Sequence, residues 1–159
     1  MEQDKYLLSK DIINSSEAVA FITVNGVNKR LFYVKKINSD IEFTKKEYNV
    51  MGKRGTQNKI VKTKITGTMT IYGVTSEYKK MASDYMKNGI EPRFELTTVN
   101  NDPAATIGKE TVVLHDCLPD KVNLMNVDFD SEDKTEEIGF TADGFDLLDE
   151  FGVPENLAE

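Results

Sequence analysis

The strand pattern is clearest over residues 62–74, where apolar and polar positions alternate. Even positions from 62 to 72 are polar or amphipathic; odd positions from 65 to 73 are apolar or small, namely Ile65, Gly67, Met69, Ile71 and Gly73. A period of two places successive side chains on opposite faces of a strand. The pattern therefore predicts a strand with one buried face and one solvated face.

After residue 74 the period becomes that of a helix. The apolar side chains form a single predicted stripe, made of Tyr78, Met81, Ala82, Tyr85 and Met86. Thr75 or Ser76 can cap the start of the helix, and Asn88-Gly89 is a typical end. We expect a helix over residues 76–88 whose stripe packs on the apolar face of the sheet containing residues 65, 69 and 71.

Further strand patterns flank these two elements. A hairpin is predicted first, with strands over 18–24 and 27–37 joined by Asn25-Gly26, and with Ile41 and Phe43 extending the second strand. After the helix, strands are predicted over 93–99, 111–118, 121–129 and 136–143, with Pro119-Asp120 as a tight turn. The acidic tail from Gly144 offers four apolar side chains to hold it in place: Phe145, Leu147, Leu148 and Phe151.

Residues 44–61 show neither period, and eighteen residues is long for a connection in a compact domain. The segment is predicted to be a long loop with a function of its own. About seven strands and one helix predict a mainly β (α+β) fold, a β-sandwich or barrel with one flanking α-helix and a long inter-strand loop. The expected organisation is a loosely held arm over 1–17, one β domain over 18–151 and a C-terminal tail over 152–159.

The composition of this 159-residue chain is that of an ordinary globular protein, with 39% hydrophobic and 30% charged residues. It excludes collagen-like and wholly disordered classes. A lone cysteine, Cys117, and a lone histidine, His115, exclude an internal disulfide and a His/Cys metal cage. The first residues lack a basic segment followed by an apolar one, so we expect no secretory signal and synthesis in the cytosol.

Charge is distributed unevenly along the chain. Residues 1–100 contain 17 Lys and Arg against 11 Asp and Glu, whereas residues 101–159 contain 3 against 16. The stretch 29–64 alone holds 11 basic and 3 acidic residues. Such asymmetry fits a nucleic-acid face, attraction between one copy and the opposite end of another, or an unevenly charged solvated surface.

Two short motifs invite a chemical interpretation, and neither supports one. On a strand, His115 and Cys117 would share a face and Asp116 would lie on the other, so a buried structural cysteine is the favoured interpretation. The acidic run from Asp128 to Asp133 lacks the glycine and the final glutamate of a calcium loop. The sequence therefore predicts no catalytic residue, no cofactor and no metal site, and we expect a protein that is not an enzyme.

A series of segments resembles the tail tube proteins of contractile phages, prophage elements and phage-tail-like (R-type) bacteriocins of Gram-positive bacteria. The segments follow one another in order across most of residues 18–151: Asn49–Arg54, Gly67–Ser76, Asp84–Gly89, Pro92–Leu96, Val127–Ser131 and Phe140–Asp146. The resemblance implies a structural protein that forms hexameric rings, stacked as the tube inside a contractile sheath.

The same resemblance implies partners and an interface. The implied partners are further copies of the chain, the tail sheath, baseplate and tape-measure proteins, with DNA passing through the lumen without specific binding and no membrane insertion by the subunit. The mature location would be a virion or phage-tail-like particle. The loop would contact neighbouring subunits and the next ring through Val50, Met51, Gly52, Lys53, Arg54 and Gly55. The alternative from another class is a nucleic-acid-binding β-barrel that uses the basic segment 29–64.

Overall fold

A computed structural model describes residues 6–157 of the chain. Within that range there are eight strands, β1 to β8, and one α-helix, α1: Val19–Val24, Val27–Arg30, Val34–Tyr48, Gln57–Tyr72, Phe94–Asn101, Lys109–Lys121, Thr135–Ala142, Gly144–Asp149, and the helix Glu77–Asn88. Short 3₁₀ turns lie at Ser9–Asp11, Ser15–Glu17 and Glu155–Leu157. The mainly β fold with one α-helix is confirmed.

The chain forms two compact units. The first contains residues 6–32, 94–116 and 145–157, and the second contains residues 33–93 and 117–144. Strand β6 contributes its first eight residues to the first unit and its last five to the second. The domain boundaries expected at residues 17 and 151 stay predictions, and the expectation about a secretory signal falls largely on residues 1–5, outside the described part.

The first unit orders its strands β2-β1-β5-β6, and β8 pairs with β6. The predicted hairpin turn between β1 and β2 is confirmed, because Asn25 and Gly26 both have positive φ, 52° and 79°. Two consecutive positive φ values make the type I′ turn that matches the twist of paired strands. Ile22 and Leu96 face each other across β1 and β5 and are both buried.

The N-terminal arm is held more firmly than expected. The carboxylate of Asp11 accepts hydrogen bonds from the backbone N–H of Thr106 at 2.8 Å and from its hydroxyl at 2.7 Å. These two bonds lower the pKa of Asp11. Asn14 donates its backbone N–H to the Asp102 carboxylate at 3.0 Å. The arm was expected to be loose because it is polar, but in its described part Asn14 and Asp11 have hydrogen-bond partners 88 and 95 residues away.

The second unit orders its strands β6-β7-β4-β3, all antiparallel. The alternation predicted for residues 62–74 is confirmed, since Ile65, Met69 and Ile71 are buried on one face of β4. Gly67 lies between them at a close approach. A Cβ at Gly67 would lie 2.5 Å from the ring of Phe140, so only glycine fits beside this buried phenylalanine.

Helix α1 matches its prediction at both ends but only partly along its stripe. It ends at Gly89, whose φ of 70° is the left-handed cap conformation. Tyr78 is buried, and its ring meets that of Tyr33 edge to face with the hydroxyl oxygens 3.3 Å apart. Tyr85 and Met86 are 53% and 84% exposed, so the expectation that the whole stripe packs on the sheet was wrong for the last turn.

The strand predicted over 27–37 is two strands in the structure. Strand β2 ends at Arg30, and β3 begins at Val34. Leu31 still donates its N–H to Ala20 of β1, whereas the Tyr33 carbonyl accepts the N–H of Tyr72 at the end of β4. The chain thus changes its partner strand within three residues, which an uninterrupted apolar pattern cannot reveal.

The prediction of a turn at Pro119-Asp120 and a strand over 121–129 was also wrong. Strand β6 continues through Pro119 to Lys121, with a register shift against β7 between these two residues. A proline is tolerated at such a bulge because its missing N–H is not needed for pairing. Residues 122–134 form no strand and connect β6 to β7.

The acidic tail forms a strand that was not predicted, β8, paired with β6. Three of its four candidate core contacts, Phe145, Leu147 and Leu148, are 44–64% exposed, which contradicts that expectation, and Phe151 alone is half-buried. Polar bonds hold the tail instead: Thr111 donates its hydroxyl to Asp149 at 2.7 Å.

Candidate assembly surface

Residues 44–61 are mostly strand, which corrects the prediction of an eighteen-residue loop. Strands β3 and β4 remain paired out to Tyr48 and Gln57, so the true connection is residues 49–56. Every residue from 40 to 64 is exposed. Because neither face of this distal hairpin is buried within the chain, the sequence there has no reason to alternate as a half-buried strand does.

One face of the distal hairpin carries three exposed apolar side chains, beside Lys45 and Thr63. Ile41 pairs with buried Ile65, Phe43 lies two residues further along the same face, and Ile60 follows across the ladder from Lys45. We call Ile41, Phe43 and Ile60 the apolar hairpin face; their exposures are 37%, 52% and 51%. This face continues the buried face of β4 beyond the point where the chain's own residues cover it.

A register shift between Thr44 and Lys45 leaves Val61 as the extra residue of a bulge, 52% exposed. A bulge offsets the alternation by one position and increases the local twist. This displacement explains why the apolar positions on the N-terminal side of the bulge, such as Ile60, are out of phase with the alternation of residues 62–74.

The opposite face of the distal hairpin is basic. Lys46 pairs directly with Lys59, and Lys62 and Lys64 follow on the same side; we call these four the basic hairpin face. The Lys46 ammonium lies 5.4 Å from the ring centre of Tyr48. Like charges directly opposite each other weaken strand pairing. The arrangement therefore favours contact with a negatively charged partner.

All six residues of the predicted interface lie together at the hairpin tip, Val50 to Gly55. Met51 is fully exposed and Val50 is 45% exposed. The tip turns through Gly52, whose φ of 90° is a conformation that other residues rarely adopt, and Lys53 donates its N–H to the Val50 carbonyl. Whether these residues contact another subunit stays a prediction.

A second exposed segment lies in the β6–β7 connection. We call residues 124–133 the acidic loop. It carries four carboxylates at Asp128, Asp130, Glu132 and Asp133, and four apolar side chains that are 65–97% exposed: Leu124, Met125, Val127 and Phe129. The Asp128 carboxylate accepts the backbone N–H of Asp130, an Asx turn. No three His, Cys, Asp or Glu side chains of residues 6–157 are arranged to hold a metal ion.

His115 has carboxylates at both ring nitrogens. Nε2 lies 2.6 Å from Asp146 and Nδ1 lies 3.2 Å from Glu95. The hydrogen bond to Asp146, followed by that to Glu95, raises the pKa of His115. Asp116 has a φ of 49°, so the alternation that would have put His115 and Cys117 on one face is broken. Cys117 is completely buried, which suits a structural thiol rather than a nucleophile.

The combination of a projecting β3–β4 hairpin, one α-helix and an otherwise β fold matches known proteins. The profile of the phage tail tube protein family matches residues 5–149 of the chain. The chain belongs to the phage tail tube protein family. Members of this family are structural proteins of phages and phage-like particles rather than enzymes.

A curated relative of this tail tube chain is the phage-like element PBSX protein XkdM of Bacillus subtilis strain 168, 36% identical over an alignment of 144 residues that covers 86% of this chain and 94% of the relative. In fold, the chain resembles one from an extracellular contractile injection system, the PVC sheath-tube complex in its extended state. That match has a TM-score of 0.65 and 15% identity, and covers 85% of this chain and 90% of the other.

It also resembles a chain of the anti-feeding prophage baseplate, a structure described as sixfold symmetrised. The TM-score is 0.62 at 7% identity, with 83% of this chain and 92% of the other covered. At these identities the structural matches show the shared fold. In the described part of this tail tube chain, no helix is both long and apolar enough to span a membrane.

Sequence reasoning missed the distal strands and the acidic loop as features of the assembly surface. The distal strands could have been inferred from Ile41, Phe43 and Ile60 if an intervening bulge had been allowed for. The acidic loop carries no comparable signal, because its apolar residues change parity between Leu124 and Met125.

Proposed function

We propose that this chain assembles into six-subunit rings that stack as the inner tube of a contractile phage tail or phage-tail-like particle, and that the tube is a conduit through the target cell envelope. The observation that carries the proposal is the distal β3–β4 hairpin, whose apolar face continues the core but has no cover within the described chain. Exposed apolar patches of this kind mark interaction sites.

The fold matches support the partners of this assembly. The similar chains come from structures described as a sheath-tube complex and as a sixfold-symmetrised baseplate. By analogy, the partners here are further copies of the chain, a sheath protein around the tube and a baseplate, with a tape-measure protein or DNA in the lumen. The subunit would be made in the bacterial cytoplasm and function in the particle.

Removing the distal hairpin tests the proposal. Residues 45–61 are replaced by Asn-Gly, which joins the last regular pair, Thr44 and Lys62, through a two-residue turn. Because the removed residues are exposed, we expect the midpoint of thermal unfolding to move by only a few degrees. Negative-stain microscopy should show tubes for the wild type and none for the shortened chain.

Two further variants make this test specific. Phe43→Ser/Ile60→Ser removes apolar area from the apolar hairpin face and should also abolish tubes. Val74→Ser/Met86→Ser removes apolar area from other exposed sites, 76% and 84% exposed, and should leave tubes intact. Normal tubes from the shortened chain, or a cross-section without six subunits, would overturn the proposal.

The basic hairpin face favours one alternative function, a nucleic-acid-binding barrel. The four lysines could contact a phosphate backbone, and the ring of Tyr48 could stack on one base. Against this stands the net charge of −7 for the whole chain. Binding of the isolated protein to duplex DNA should then be weak; an affinity that falls steeply between 50 and 200 mM salt, with release by Lys46→Glu/Lys59→Glu, would favour the alternative.

A further inference from the structure

The hairpin tip and the acidic loop lie at opposite ends of one strand. Strand β4 begins at Gln57, beside the tip, and ends at Tyr72, which pairs with Thr135 immediately after the acidic loop. Gly73 donates its N–H to the Lys134 carbonyl at 2.9 Å, which fixes the loop at that end. Fifteen residue steps of about 3.3 Å separate the two ends by about 50 Å along the strand.

The two ends carry opposite charge. The tip, residues 50–55, contains Lys53 and Arg54 and no acidic residue, and the adjoining strands, residues 45–49 and 56–64, add five lysines and one glutamate. Residues 128–133 contain four acidic residues and no basic one. These charged side chains are exposed. Complementary charge steers two surfaces together and fixes their relative register.

The two ends also match in apolar character. Met51 is fully exposed at the tip, two residues before Lys53, and an unbranched thioether adapts to irregular surfaces. The acidic loop offers Leu124, Met125 and Phe129, the last of them 97% exposed. Contacts between such side chains would bury apolar area that neither end can bury within its own chain.

We propose that the hairpin tip of one subunit docks on the acidic loop of a second subunit in the next ring. This assignment rests on the proposed tube. The occupant is a second copy because every copy carries both complementary surfaces, and the two ends of one chain, about 50 Å apart, cannot meet each other. Because the contact joins two different surfaces, each copy keeps one of them free for a further copy. Along the tube axis such a contact does not form a closed pair, and it repeats from ring to ring.

Charge reversal at each end tests the contact. The tip variant is Lys53→Glu/Arg54→Glu, the loop variant is Glu132→Lys/Asp133→Lys, and a charge-swapped chain carries all four changes. Lys80→Glu/Lys87→Glu and Glu17→Lys/Glu150→Lys are controls with the same changes in net charge at other exposed positions. The readout is the protein concentration needed for tubes at low salt.

We expect the tip and loop variants to need at least about tenfold more protein than their controls, since like charges would face each other across the contact. The charge-swapped chain should return to within about threefold of the wild type. Tip and loop variants that assemble like their controls would overturn the assignment, and so would a charge-swapped chain that stays impaired.

Disulfide cross-linking identifies the two surfaces directly. Met51→Cys/Phe129→Cys should give a ladder of covalent multimers after mild oxidation, because a disulfide requires Cα atoms within about 7 Å. Each variant with only one of the two added cysteines should stop at dimers, because the native Cys117 is completely buried. If the wild type forms tubes but the double variant gives no ladder, the docking assignment is overturned and the proposed function is not. A ladder without rings or tubes would overturn the proposed function and leave the docking intact.

Discussion

The two halves of the β3–β4 hairpin have the same secondary structure and opposite surroundings. Near its base, Met69 pairs with Ile37 on one side and Ile138 on the other and is fully buried. In the distal half, Ile60 pairs with Lys45 on one side, lies before the part of β4 that pairs with β7, and is half exposed. The buried base stabilises the subunit, whereas the distal half pairs its two strands but buries neither face within the subunit. Substitutions that match in chemistry should therefore have different effects on folding in the two halves.

The largest difference is expected for a buried charge. Met69→Asp places an unpaired carboxylate among apolar side chains and should destabilise the fold by about 4 kcal/mol or more, enough to prevent folding. Ile60→Asp introduces the same group at an exposed site and should change the free energy of unfolding by about 0.5 kcal/mol or less. Urea unfolding followed by circular dichroism checks both; similar losses would mean that the distal half belongs to the core.

Helix α1 repeats the contrast on a smaller scale. Met81 is half-buried, while Met86, one turn later, is 84% exposed. Met81→Asp should cost about 2 kcal/mol, because a partly buried carboxylate retains some contact with water. Met86→Asp should leave the melting temperature nearly unchanged. Equal shifts in the two variants would show that the helix packs differently from its described position.

How much could be predicted from the sequence follows the same division. Ile65, Met69 and Ile71 were identified as core because one chain alone buries one face of β4 and solvates the other. The distal strands have both faces exposed in the subunit, so burial within the chain imposes no alternation that the sequence would reveal. The bulge at Val61 then obscured the little alternation that remained.

The same reasoning applies to the interface. The six tip residues were predicted to form an interface because of a family resemblance, whereas the lack of periodicity predicted only a loop there. The first part of the acidic loop was included in the strand predicted over 121–129, yet Met125 and Phe129 are exposed. Apolar residues that serve a neighbouring subunit resemble core residues in sequence. Only the structure separates the two classes.

Glycine positions sharpen the comparison at the level of a single methyl group. Gly67 lies against Phe140, with a ring carbon 2.5 Å from where a Cβ would be, whereas a Cβ at Gly55 would meet nothing nearer than 3.8 Å. Gly67→Ala should therefore cost about 1–3 kcal/mol by overpacking. Gly55→Ala should be nearly neutral for folding, within about 0.5 kcal/mol. Thermal unfolding of the two variants measures the difference, and a neutral Gly67→Ala would mean that both the Phe140 ring and the Asn38 carbonyl, 2.8 Å from the same position, can move aside.

The smallest expected effect concerns an exposed residue that, unlike the apolar hairpin face, has partners within its own chain. Asp146 and Glu95 raise the pKa of His115 above its ordinary value of 6.5. A group whose pKa is raised by folding contributes stability that is complete below its unfolded pKa and is lost as the pH rises through its folded pKa. Because the ring is exposed and screened by water, the contribution should be about 0–1 kcal/mol.

The measurement is urea unfolding of the wild type and of His115→Gln at pH 5.5 and at pH 9. Glutamine retains hydrogen-bonding capacity but cannot become charged, so the wild type should be the more stable protein at pH 5.5 and lose most of that advantage at pH 9. Added salt should reduce the difference at pH 5.5, since exposed ion pairs are screened. A difference independent of pH would assign the role of His115 to packing rather than to its charge. His115 would then stabilise the fold as the buried residues at the base of the hairpin do, through packing.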